Sequence, residues 1–233
     1  MDLNISGITV EVHRKKVKNM TIYVKPPYGK VTVSAPFSVS DDRIEKFVLK
    51  KADWIKMQVS KFDGVPVRAE REYITGETLY VWGKPYSLRL EHGNRCSVVL
   101  SENEMIMTVS EDSTVSQRED LVREWYRELI RKEAERLLPD WEEAIGLSPS
   151  GFQVRYMKTR WGTCNTRTGK IYLNVQLAKR PKEYLEYVIL HELVHLAERK
   201  HNELFASVLD VHMPNWREIK AVLNGHTLDH MDH

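Results

Sequence analysis

The sequence predicts an α+β protein: a β-rich N-terminal half with one helix (residues 1–112), then a helical half (113–233) in which a β-hairpin lies beside a long apolar helix. Three observations predict it. Apolar residues alternate in period two through most of the first 110 positions. At Ser116 the pattern changes to that of an amphipathic helix. Beyond Gly146 two strand-like runs flank a polar segment and precede another apolar helix. A chain of 233 residues suffices for one large domain or two small ones with real cores.

In chain order, ITVEV (8–12), MTIYV (20–24) and KVTVSA (30–35) read as strands, with PPYGK (26–30) as a turn. Ser40 before Asp41 and Asp42 marks a helix start, its acidic residues facing the positive end of the dipole. Ile44, Phe47, Val48, Ile55 and Val59 supply that helix with an apolar stripe. A connector follows at 61–78, holding Gly64, Pro66 and Gly76. TLYVW (78–82), YSLRLE (86–91), CSVVL (96–100) and MIMTV (105–109) add four strands. SQRE (116–119) has the form of a capping box, and the helix it opens is expected to end near Pro139. FQVRYMK (152–158) and IYLNVQL (171–177) are the expected hairpin arms, and Pro181 suits the first turn of the next helix. ASVLDV (206–211), a break at Pro214 and a helix ending at Asn224-Gly225 complete the reading. No repeat is evident.

The composition is 42% hydrophobic and 29% charged with a net charge of +2, so bulk charge argues for neither a nucleic-acid nor a membrane partner. The densest basic patch, HRKKVK (13–18), reads as a solvated strand edge. Cys96 and Cys164 are too few and too far apart for a disulfide framework, which points to a reducing compartment. The first residues lack a signal-peptide pattern, and no run approaches 18 apolar residues. The expectation is a cytoplasmic protein without a membrane span.

Chemistry concentrates in YVILHELVHLAERKH (187–201), where histidine and glutamate interrupt an apolar helix that should exclude them. Each helical residue advances about 100°, so His191 and His195 project from one face toward one point. There a zinc ion could take a nitrogen from each, while Glu192 points to the flank, where a general base belongs. This is the content of an HExxH motif. A catalytic zinc needs a third ligand, and His201 has the spacing if the chain leaves the helix near Arg199–Lys200 and doubles back. Glu198 stands where related patterns place a glycine, and Asn202 could ease the turn through a left-handed conformation. Glu198 is itself the competing ligand, though it lies further along the axis. Arg160, Tyr187 and His212 are candidates for stabilising an oxyanion. Cys164 as a fourth ligand would close the site, and Met213 reads as a core methionine. The terminal GHTLDHMDH adds His226, His230 and His233.

RWGTC (160–164), IYLNVQL (171–177), YVILHELVHL (187–196), KHNELF (200–205) and MPNW (213–216) resemble the YgjP-like metallopeptidase family. VHRKKVKNMTIYVKP, APFSVSDDRIEKFVLKKADWI and YVWGKPYSLRLE resemble its β-rich half, so the likeness runs from about residue 10 to Asn224. Thr163 departs from the serine of the family signature. The resemblance implies a minimal zincin-like domain with Zn2+ on His191, His195 and His201, Glu192 as catalytic base, and a peptide or protein substrate. It is distantly similar to SprT-type proteases, some of which act on DNA-bound proteins. Two further readings stand beside it: a nucleic-acid-associated protease or binding module using the basic N-terminal half, and a non-catalytic protein with a structural zinc. In the peptidase reading, IYLNV at a sheet edge would hold an extended peptide by strand addition.

Overall fold

The computed structural model describes residues 2–25, 29–60 and 71–225. Most of the PPYGK turn, the first part of the connector and the histidine-bearing tail lie outside them. The chain divides into two compact units, Met1–Ala69 and Glu70–His233.

In the first unit, β1 (Asp2–Ile5), β2 (Ile8–Lys15), β3 (Thr21–Lys25) and β4 (Lys30–Pro36) form a sheet in the order β1-β2-β4-β3. Two short helices follow, α1 (Asp41–Leu49) and α2 (Ala52–Ser60), where one was expected. Val10, Val33 and Ala35 on the sheet and Ile44, Val48 and Ile55 on the helices are fully buried in a shared core. Part of the basic patch is structural. Arg14 donates to the Pro36 and Val39 carbonyls and pairs with Asp41, tying β4 to the start of α1.

The second unit begins with β5 (Thr78–Val81), β6 (Lys84–His92), β7 (Ser97–Leu100) and β8 (Glu104–Val109), ordered β5-β6-β8-β7. This repeats the first sheet's topology: a tight hairpin, a third strand at the far edge, and a fourth running parallel to the second. Even the turns agree. Ser6-Gly7 has φ of 50° and 80°, and Trp82-Gly83 has 50° and 82°, the paired positive values of a type I′ turn. The structure therefore contains a repeat that the side chains do not announce. Leu79, Val81, Leu88, Met105 and Met107 pack in one core with Val122, Tyr126 and Ile130 of α3 (Val115–Ile145). Through that shared core the second sheet, its apolar face covered by the helix that follows it, belongs to the compact unit Glu70–His233.

Thr114, not Ser116, caps α3, in a capping box with Gln117. The helix continues through Pro139, since Trp141 and Ile145 beyond it still pack on the core, and it ends at left-handed Gly146. The third sheet consists of β9 (Gly151–Arg155), β10 (Gly162–Asn165) and β11 (Lys170–Asn174), in the order β10-β11-β9. The hairpin is β10–β11. The polar segment supplies its first arm, and β9 runs parallel to β11. IYLNV is thus the central strand and has no free edge; the edge beside the apolar helix belongs to β10. Val175–Lys179 leaves the sheet as a 3-10 helix. Helices α4 (Lys182–Val194), α5 (Glu203–His212) and α6 (Trp216–Gly225) complete the unit. No helix among the described residues is long and apolar enough to cross a membrane.

Candidate metal centre

Helix α4 is buried on most sides: Leu185, Val188, Ile189, Leu190, Leu193 and Val194 all sit in the core. It ends earlier than the spacing suggested. His195 is its C-cap, and the Leu196 and Ala197 N–H groups donate to Leu193 and Val194 carbonyls in a tightened last turn. The return needs no left-handed residue. Asn202 is extended, with φ of −93°, and its side chain accepts from the Phe205 N–H as the N-cap of α5.

The result brings the rings of His191, His195 and His201 together, with centroids 4.8–5.0 Å apart. One nitrogen from each lies within 4.8 Å of the others, the one such group of three metal-binding side chains among the described residues. His201 Nε2 is 3.1 Å from His191 Nε2. Two nitrogens on one tetrahedral zinc, each at about 2.0–2.1 Å, would lie about 3.3–3.4 Å apart, so the spacing fits. The outer contacts fit as well. His195 Nδ1 donates to the Glu198 carbonyl at 2.9 Å, which leaves its Nε2 as the lone-pair nitrogen. His191 Nδ1 meets the Tyr187 hydroxyl at 3.3 Å, leaving Nε2 to face His201. Burial, and then the neighbouring His195, His201 and Lys220, depress His191 to about 3; His201 is lowered by the same kind of surroundings. Both therefore stay neutral at ordinary pH, the form that binds metal.

Phe205 forms the floor of this cluster. Its ring centroid is 4.8–4.9 Å from each imidazole, and it is almost fully buried. Sequence reasoning gave it no role, although an apolar residue three positions after an N-cap asparagine is a recognisable packing position. Glu198 contributes its backbone. Its carboxylate accepts from the Lys200 N–H at 2.9 Å, with Asn202 as a second partner, and does not join the cluster.

Glu192 is 5% exposed, one residue beyond His191 and turned toward β10. Burial pushes its carboxyl up to about 8, opposed by the Arg160 guanidinium and by the Cys164 backbone N–H that it accepts from. A Cβ built on Gly162 would stand 2.6 Å from Val188 Cγ1 and 2.7 Å from Glu192 Oε1, so only glycine lets the strand approach this closely. Asn174 holds the preceding loop. Wholly buried, it donates to the Met157 and Arg160 carbonyls at 2.8 and 2.7 Å and accepts from the Gln176 N–H. The Trp161 indole donates to the Leu223 carbonyl of α6 at 3.1 Å.

The remaining candidates separate. Arg160 lies within electrostatic range of Glu192. Tyr187 sits behind His191 and stacks on Trp216, with centroids 6.5 Å apart, and His212 packs edge-on to Trp141. Cys164 keeps a protonated thiol, its pKa raised by burial and by Glu192, and is not part of the cluster. Met213 is a core residue.

No relative among curated proteins matches this chain. Two solved structures are similar in part. The metallopeptidase zymogen of Pyrococcus abyssi abylysin is 22% identical, with a TM-score of 0.36, over 39% of this chain and 90% of its own. The metallopeptidase zymogen of Methanocaldococcus jannaschii jannalysin is 23% identical, with a TM-score of 0.34, over 41% of this chain and 94% of its own. The model of the YgjP-like metallopeptidase domain matches residues 18–226, from β3 through the histidine cluster and α6. With nearly the whole chain under that match, the protein belongs to the YgjP-like metallopeptidase family and is a metal-dependent peptide hydrolase.

Proposed function

We propose that the protein is a zinc peptidase in which His191, His195 and His201 hold the metal and Glu192 is the general base. The observation that carries this reading is the convergence of three imidazoles on one point, with a buried carboxylate beside it. The donor set suits zinc, and two of its members have their outer nitrogens engaged. When bound, zinc would lower the pKa of a water and polarise a scissile carbonyl.

Glu192 then takes a proton from the attacking water on a carboxylate oxygen and returns it to the leaving amine. The Cys164 N–H and the close approach of Gly162 hold that carboxylate in place. Burial holds this carboxyl up to about 8, and the ionised form that a base requires is favoured by Arg160 and would be favoured further by a bound dication. The Asn174 N–H donates to the Trp161 carbonyl, so Trp161 faces β11 and the backbone groups of Gly162 and the Cys164 carbonyl point to the outer edge of β10, where Glu192 takes the Cys164 N–H. An extended peptide can pair there by strand addition. Cys96 and Cys164 are both free thiols, which suits the cytoplasm.

The test is Glu192→Gln. The variant should keep one zinc per chain and lose peptide hydrolysis; full activity in a zinc-loaded Glu192→Gln protein would remove the base assignment.

A further inference from the structure

Between Glu143 and Glu183 the chain has eight lysines and arginines and no aspartate or glutamate, so residues 144–182 carry +8 in a protein whose total is +2. At average composition a segment of this length would hold about five acidic residues. This segment builds the sheet whose edge strand abuts Glu192. Lys182 is neutralised by Glu133 at 2.6 Å, and Lys179 and Arg180 are half-buried. The other five, Arg155, Lys158, Arg160, Arg167 and Lys170, are exposed; Arg160 acts electrostatically on Glu192, and none of the ion pairs among the described residues involves the other four.

The sheet sorts these cations into two groups. Arg155 pairs in register with Asn174, and Trp161 is bonded to Asn174 from the other side, so Arg155, Lys158 and Arg160 gather where β10 begins. Lys170 is opposite Asn165, and Arg167 lies in the turn between them, at the other end. Four residues of strand separate the groups by about 13 Å. Between them runs the outer backbone edge of β10, where the Cys164 N–H is taken by Glu192 and the other outward groups face away from β11.

We propose that this sheet is the docking surface for an acidic polypeptide, held along the β10 edge with carboxylates on both sides of the bond presented to Glu192. The inference rests on the peptidase reading and adds the substrate class. The geometry favours a polypeptide over a nucleic acid. A strand edge pairs with extended backbone, whereas single-stranded nucleic acid needs open aromatic faces. The Tyr172 ring on this sheet is covered by the Arg155 guanidinium, 3.4 Å from its centroid.

The experiment uses the zinc-loaded full chain carrying Glu192→Gln, so that binding is read without turnover. Fluorescence anisotropy compares a dodecapeptide with glutamates near both ends, its glutamine and lysine counterparts, and a single-stranded DNA of equal length. The glutamate peptide should bind at least about tenfold tighter than the glutamine peptide, and about 0.5 M salt should erase most of the difference. Lys158→Glu/Arg167→Glu/Lys170→Glu should abolish the preference, while a control of equal charge, Lys16→Glu/Lys18→Glu/Lys50→Glu, should keep it. Equal binding of the glutamate and glutamine peptides, or tighter binding of the DNA, overturns the proposal. Wild-type enzyme on the same peptides separates the two claims. If only the zinc chemistry is wrong, the glutamate peptide binds selectively but stays intact. If only the docking surface is wrong, both peptides are cut equally well.

Discussion

A Cβ placed on Gly162 falls 2.7 Å from the Glu192 carboxylate oxygen Oε1, so the edge strand and the active-site helix meet at the residue that would move the proton. Gly162→Ala should cost about 1–3 kcal/mol in stability by overpacking and displace Glu192. Adding Val188→Ala relieves only the 2.6 Å contact with Val188. The double variant should regain part of its melting temperature but little activity, with zinc content unchanged throughout. Recovery of activity in parallel with stability would show that Glu192 does not depend on this contact.

Asn174 should be as sensitive although it touches no reacting group. Asn174→Ala leaves two carbonyls and one N–H without their partner in a wholly buried site, at a cost of about 2–4 kcal/mol. Asn174→Asp keeps the size but turns a carboxylate toward those carbonyls, and should be at least as damaging. Urea unfolding of the two variants measures this; a loss under about 0.5 kcal/mol for both would contradict it.

His201 and Glu198 make opposite predictions for metal content. His201→Ala should lower zinc affinity by at least about tenfold, whereas Glu198→Ala keeps the carbonyl that orients His195 and should retain the metal. Phe205→Leu removes the ring packed under all three imidazoles and should weaken zinc binding without touching a ligand. Competition with a chromogenic chelator reads all three.

Glu133 of α3 gives the pH dependence. Burial alone would raise its pKa, but hydrogen bonds from Lys182 at 2.6 Å and Arg136 at 2.7 Å outweigh it and hold the carboxyl below its ordinary value of 4.5. The folded form thus binds this proton less readily than the unfolded one, and the contribution is complete above about pH 4.5. It disappears as pH falls through the lower folded value. Glu133→Gln should therefore be less stable than wild type at pH 7, by about 1–3 kcal/mol, with the gap closing in acid. A gap that widens in acid would reverse the sign.

The sequence made some of this legible and hid the rest for physical reasons. Helical angle alone brings His191 and His195 together, and a third histidine at the right spacing was visible. The need for the chain to double back was legible too, but not where or how it does so, because the helix ends at His195 rather than near Arg199–Lys200 and Asn202 caps the next one in an extended conformation. The central position of IYLNV was hidden because its edge partner, GTCN, has no strand-like alternation. The duplicated sheets escaped notice because they share pairing and turns rather than residues, with Ser6 and Trp82 in equivalent strained positions. A change of period, as near residue 112, marks a change of element, whereas a shared core such as that of Met105, Met107 and Ile130 marks a compact unit and carries no period of its own.

Anomalous diffraction at the zinc edge on crystals of the zinc-loaded protein tests the central claim most directly. The account predicts one ion bound by nitrogens of His191, His195 and His201 at about 2.0–2.1 Å, with solvent in the fourth position beside Glu192. An ion bound elsewhere, or a fourth protein side chain completing the coordination, would contradict it.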